Sequence, residues 1–260
     1  MAVACSLEAI VLQWSPSFVA LGAVGYHNKP TGSFVTLFNS FKPLETSTGV
    51  AKDIPSLYGY GKVCQGSQRL DKRNIAQRGL DMVQSWITSK KTSDGSSPAS
   101  FSRRYSSPLR TGHKTAHLFT ESTVYRYVED LTTPKTWFKA NVDHILALYG
   151  KEHAIQKEDL YLVIGTLDAA DYALFVSHNH PDGQVNFNVS SSARAGQEWG
   201  RFTTSTDLSA SIVGGPVYVE EAPGYSSVSK ISTVKTSGKW DTVLLARLRF
   251  PPDCTEPTSL

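Results

Sequence analysis

Cysteine is scarce: Cys5, Cys64 and Cys254 are the only three in 260 residues, and they lie far apart. Three thiols cannot all pair with one another, so no disulfide framework is read here, and their number suits a reducing compartment where a thiol serves as a small apolar group. Nothing beside any of the three marks an activated nucleophile. Long apolar runs are missing as well. "YLVIG" at 161–165 and "TVLLA" at 242–246 fall far short of the roughly 20 residues that cross a bilayer as a helix. The opening "MAVACSLEAIVLQW" carries Glu8 inside its apolar stretch and has no basic segment before it, which reads as a chain without a secretory leader and points to the cytoplasm. Enzyme signatures are absent too: there is no Gly-X-X-X-X-Gly-Lys loop, no strand followed by Gly-X-Gly-X-X-Gly, and no Gly-X-Ser-X-Gly elbow. The stretch "GYGKVCQG" at 59–66 has glycines and a lysine, but its spacing matches neither nucleotide motif.

The chain does carry charge, unevenly spread. The net charge is only +3, yet residues 62–115 hold eleven Lys and Arg against three Asp, a local charge of +8 that leaves −5 for the rest. Such segregation creates a positive field suited to phospholipid head groups, nucleic acid or an acidic partner.

Hydrophobic patterning is mostly of the strand type. "EAIVLQW", "FVALGAV" and "SFVTLF" are short β-rich runs separated by turn residues, and they predict two or three strands within the first forty positions. Residues 71–91, "DKRNIAQRGLDMVQSWITSKK", place Ile75, Gly79, Met82, Val83, Trp86 and Ile87 on one face at helical spacing, predicting an amphipathic helix. "FSRRYSSPLRTGHKTAHLFTESTVYRYV" alternates polar and apolar residues as half-wet strands do. In "TTPKTWFKANVDHILALYG" the spacing predicts a second helix, with Thr133 as cap, Pro134 in the first turn, Gly150 at the end, and a stripe of Phe138, Val142, Ile145, Leu146 and Tyr149. Residues 158–189 read as three short strands in an antiparallel meander. In it Asp168 and Asp171 serve as turn formers. "KWDTVLLARLRF" reads as the last strand. The expected class is α+β: a mostly antiparallel, twisted sheet with two main amphipathic helices, in a single domain over 1–250, followed by a loose tail over 251–260.

"FVSHNHPDGQVNF", residues 175–187, holds the only close histidine pair. Two imidazoles at i and i+2 on a strand end project to one side, and zinc favours such ligands. The segment "HNHPDG" resembles the core signature of the JAB/MPN zinc isopeptidase family. That family then requires an Asp ligand eleven residues past the second histidine, where this chain has Ser191, and a catalytic zinc needs three protein ligands. The pair is therefore read first as a strand end followed by turn residues. A zinc hydrolase using His178 and His180 is kept as the alternative.

Between Glu121 and the carboxyl end, "STVYRYVEDL", a helix, "EDLYLVIGTL", "DYALFV", "VNFNV" and the closing "DTVLLARLRF" follow an arrangement similar to a fungal gasdermin-like family and, more distantly, to the pore-forming amino-terminal domain of gasdermins. The resemblance implies binding to acidic lipid through a basic surface, oligomerisation on the membrane, refolding into membrane hairpins and a role in cell death. No cofactor is implied. The residues that would carry the lipid contact are Lys72, Arg73, Arg78, Arg103, Arg104, Arg110 and Lys114. The span from 99 to 128 is long enough for barrel strands of about 9–11 residues, although Pro108 does not suit a central strand. Nucleic-acid binding, with Phe101 and Tyr105 as stacking faces, is a further reading of the same charge.

Overall fold

The computed structural model describes residues 10–43, 53–69, 101–191, 193–206, 212–213, 217–222, 225–235 and 237–259. The helix expected over 71–91 lies outside them. Fifteen strands and one α-helix occur among the described residues, and strand accounts for 51% against 15% helix. The expected α+β fold with two main helices is therefore corrected to a mainly β fold. The composition explains why: short runs of β-branched and aromatic residues alternating with Ser and Thr fit a pleated surface and leave few segments with a sustained helical stripe. Two compact units emerge, one comprising Met1–Gln68, Thr123–Ala169 and Lys239–Leu260, the other Arg69–Ser122 and Ala170–Gly238. Each is discontinuous along the chain, so no stretch of linker composition marks a boundary.

The first unit is a seven-stranded sheet centred on β8 (Tyr161–Ala169). One edge of β8 pairs with β15 (Asp241–Arg249), which in turn pairs with β1 (Ile10–Ser17). The other edge is shared. β2 (Ala23–Asn28) takes the start of β8, through Val24 opposite Leu162, and continues to β3 (Ser33–Asn39). β7 (Ser122–Val128) takes the remainder, from Tyr127 opposite Gly165 to Thr123 opposite Ala169, and continues to β4 (Val63–Arg69). Apolar clusters cover β8 on both faces: Leu162 and Ile164 belong to one, Val163 to the other. That double cover is why its sequence runs apolar instead of alternating.

Helix α1 (Thr132–His153) fills the larger cluster with Trp137, Phe138, Val142, Ile145 and Tyr149. Its ends differ from those the sequence suggested. The Asp130 carboxylate accepts from the Thr132 N–H at 2.9 Å and from the Thr133 hydroxyl at 3.3 Å, so an acid one turn earlier caps the positive end of the helix. These bonds, together with that of the Thr132 side chain, hold the carboxyl below its ordinary range. At the other end Gly150 stays helical and Ala154 takes the left-handed position at φ 50°, with the Ile155 N–H returning to the Gly150 carbonyl at 3.1 Å. Residues after β15, read from sequence as a loose tail, turn back so that Arg249 and Thr258 exchange backbone hydrogen bonds of 2.9 and 2.8 Å.

The second unit consists of two four-stranded sheets. One runs β12 (Ile212–Val213), β11 (Gly200–Thr206), β10 (Gly183–Ser190), β5 (Phe101–Leu109); the other β13 (Val217–Ala222), β14 (Tyr225–Ile231), β9 (Tyr172–His178), β6 (Lys114–Thr120). Leu109, Val185, Phe187 and Phe202 from the first sheet share one core with Ala173, Phe175 and Ile231 from the second. The Phe187 ring lies 4.6 Å from Trp199 and 4.9 Å from Phe202, centre to centre. Gly200 makes room for it, since a Cβ there would approach the Phe187 ring to 2.5 Å. Pro108 sits near the end of β5, an edge strand, where its missing N–H costs no ladder bond on the open side. The expected antiparallel meander over 158–189 does not form. β8, β9 and β10 are all strands, but each pairs in a different sheet, because period-two patterning marks an exposed or buried face and carries no information about the partner.

Candidate functional site

Two features that stand about 65 residues apart in the sequence, the end of the basic segment and the histidine pair, meet at one tip of the second unit. β5 and β6, which belong to different sheets, are joined by a tight turn through Arg110, Thr111, Gly112 and His113, with the His113 N–H returning to the Arg110 carbonyl at 3.2 Å. Gly112 has φ 80°, a conformation that a side chain would strain. The loop after β9 closes over this turn. Asn179 accepts from the Gly112 N–H at 2.8 Å, Asp182 accepts from the Thr111 N–H at 2.8 Å, and the Asn179 N–H donates to the His113 carbonyl at 3.0 Å. Asn179 adopts the left-handed region at φ 53°, which asparagine tolerates better than most residues. "HNHPDG" thus works as a clasp on a neighbouring turn.

This conformation also decides the orientation of the two histidines. β9 ends at His178, and the left-handed Asn179 breaks the alternation that would have set both rings on one side. His178 is exposed, whereas His180 is 1% exposed, with Nδ1 2.9 Å from the Pro181 carbonyl oxygen. Among the described residues no three His, Cys, Asp or Glu side chains gather as metal ligands would.

The cationic residues divide three ways. Lys72, Arg73 and Arg78 lie outside the described residues, as does the side chain of Arg103. Arg110 and Lys114 flank the clasped turn and are exposed, beside exposed His113 and His178; Lys114 stands directly opposite His178 across the β6–β9 ladder. Arg104 is exposed on β5 in one rung with Asn188 and Arg201. Six extended residues separate it from Arg110, roughly 20 Å. None of Arg104, Arg110 and Lys114 pairs with a carboxylate among the described residues. The nearby Asp182 is engaged by a backbone N–H.

Sequence reasoning missed a polar network in the first unit. Asp168 is no turn former: it lies on β8, 3% exposed, taking Arg126 Nη1 at 2.5 Å on one oxygen and the Thr242 hydroxyl at 2.6 Å on the other. Burial pushes its carboxyl up, against the pull of Thr242 and Arg126. A carboxylate in an otherwise apolar run on a strand covered on both faces is the signal that was available, because a buried acid needs a partner. No protein-family model matches this chain, and no curated protein does.

Proposed function

We propose that the protein is a cytoplasmic module that associates with anionic membrane through the cationic turn between β5 and β6 of its second unit. The carrying observation is that Arg110 and Lys114 stand exposed on either side of a turn fixed by three hydrogen bonds to the Asn179–Asp182 loop, without a carboxylate partner among the described residues. A rigid turn with unpaired cations reaches phosphate without first giving up an internal ion pair, and a Lys or Arg near a charged leaflet contributes about 1 kcal/mol. Arg104, farther along β5, extends the same charge. Gasdermin-like pore formation and oligomerisation on the membrane are the further steps of this reading. No helix among the described residues is long and apolar enough to cross a membrane, so insertion would have to use strands.

Co-sedimentation with phosphatidylserine-containing and with pure phosphatidylcholine vesicles tests the association. Recovery with the anionic vesicles alone is expected. Replacing Arg104, Arg110 and Lys114 together by Gln should weaken binding by about 3 kcal/mol, more than a hundredfold. Equal recovery with both vesicle types removes the proposal. Release of an entrapped dye from the anionic vesicles separates pore formation from surface binding.

A further inference from the structure

The first unit holds a cavity of about 260 Å³ lined by Phe18, Val124, Arg126, Asp168, Lys239 and Trp240. It is independent of the cationic turn. Asp168 cannot meet a ligand there, since the carboxylate is buried and both oxygens are taken. What it does is hold Arg126. Thr242 holds Asp168 in turn, and Thr242 is itself fixed: its hydroxyl oxygen accepts from the Val19 N–H at 2.9 Å and its carbonyl from Gln13 Nε2 at 2.7 Å. Arg126 Nε donates to Gln65 Oε1 at 3.3 Å. Of the five N–H groups of a guanidinium, two are therefore used and three remain, on a side chain 36% exposed. The remaining N–H edge of a guanidinium held in this way is prepared for contact with a carboxylate.

The rest of the lining supplies a second cation and flat apolar walls. Lys239 is exposed, and its ammonium stands 4.3 Å above the Phe18 ring centre. Phe18 is itself 41% exposed, and Trp240 and Val124 complete the wall. Two cations with free donors face the space, while the one lining acid is turned away into its own bonds. Asp241 adds a negative charge nearby, strong enough to act on Asp168, but it does not line the cavity. A structural ion pair alone would account for Asp168 and Arg126; it leaves unexplained an ammonium, an exposed phenyl ring and an indole gathered around the same space.

We infer that this cavity binds a small organic carboxylate with a flat, aromatic body, its charge on Arg126 and Lys239 and its ring between Phe18 and Trp240. The volume lies below the roughly 300–1,000 Å³ typical of drug-sized ligands, so a single ring bearing one carboxylate is the size it takes.

Benzoate, with neutral benzamide as its isosteric control, tests the inference on the full chain by tryptophan emission and by calorimetry. Saturable binding of benzoate without a response to benzamide is expected. Lys239→Ala, at an exposed position, should leave the fold intact and weaken benzoate at least tenfold. Trp240→Phe should abolish the emission change while calorimetry still records binding. Arg126→Lys keeps the charge and loses the fork, and should weaken benzoate as well; were that variant not to fold, Lys239→Ala still decides. Equal responses to benzoate and benzamide, no saturation, or wild-type affinity in Lys239→Ala would each overturn the site. An emission change that survives in Trp240→Phe would overturn its location.

Discussion

The two units treat their positive charges differently. In the first, several cations find partners close by: Arg126 meets Asp168, Lys139 meets Glu256 and Lys29 meets Asp159, while Arg247, Lys157 and Lys239 lie over the rings of Tyr161, Phe250 and Phe18. In the second, Arg104, Arg110 and Lys114 face solvent without a carboxylate partner among the described residues. Cores differ too. A sheet and a helix interlock aliphatic and aromatic side chains in the first, whereas in the second a ring cluster of Phe119, Phe175, Phe187, Phe202 and Trp199 joins two sheets. Much of the charge in the first unit is engaged within it, with Arg126 and Lys239 keeping donors only toward a small cavity, whereas at the turn of the second unit it faces solvent, and that contrast is what makes the second the candidate for an extended anionic surface.

The sharpest way to probe the cores is to remove one ring from each. Phe187 and Phe138 are both 0% exposed, and replacing either by Ala should cost about 3–5 kcal/mol, as the lost transfer energy is joined by the cavity left behind. Phe187 also gives up three ring contacts, to Phe119, Trp199 and Phe202, so its loss should fall at the upper end. Urea denaturation of the two variants measures both. A cost below about 1 kcal/mol for Phe187→Ala would mean that the ring cluster is not what joins the two sheets.

Acid offers a second contrast, because each unit holds a half-buried histidine among aromatic rings. His27 on β2 lies against Phe34 and Tyr161, with Arg247 beside it. Burial first, and the Arg247 charge second, bring its pKa down to about 4. His117 on β6 lies against Phe119 and Phe175 and is lowered by burial alone. A folded-state value below the unfolded one means that the unfolded chain binds the proton more readily. The contribution is therefore complete above about pH 6.5 and is lost as the pH falls toward 4. Asp168 acts in the opposite sense: its raised value favours the folded state at low pH, and that contribution fades as pH rises through the folded value. Each effect is isolated by its own variant. Between pH 6.5 and 4 the wild type should lose about 1–2 kcal/mol more than His27→Gln, allowing for the partial exposure of the ring. The corresponding difference for His117→Gln should be smaller, since no cation adds to its burial. Parallel stability curves for wild type and His27→Gln would refute this.

What the sequence disclosed follows from which interactions are local. The body of α1 was legible because Phe138, Val142, Ile145 and Tyr149 recur at helical spacing; its ends were not, because the cap is Asp130 from outside the expected boundary and Ala154 takes a conformation more usual for glycine. β8, β9 and β10 were legible as strands from their own residues, but their assignment to three sheets depends on partners 40 or more residues away, such as Arg126 opposite Thr166 and Lys230 opposite Leu174. After β9 the turn chemistry of Asn179 and Asp182 could be read, although not the β5–β6 turn they hold. Asp168 was misread because two aspartates beside a predicted turn resemble turn formers; only the pairing of β7 with β8 brings Arg126 to its carboxylate.

The smallest effects on stability make the finest test of the contrast in charge. Lys29 is 86% exposed and 3.5 Å from Asp159, and Lys29→Gln should cost less than about 0.5 kcal/mol, as exposed pairs generally do. Lys114→Gln breaks no ion pair and should also stay within about 0.5 kcal/mol. Thermal or urea unfolding would therefore scarcely distinguish the two variants, even though each removes one positive charge from the same chain. Vesicle binding should distinguish them. If net charge alone drew the protein to an anionic surface, both substitutions would weaken co-sedimentation equally. If the clasped turn is the contact, Lys114→Gln weakens it by about 1 kcal/mol, roughly fivefold, and Lys29→Gln leaves it unchanged, because Lys29 already faces Asp159 and stands in the other unit.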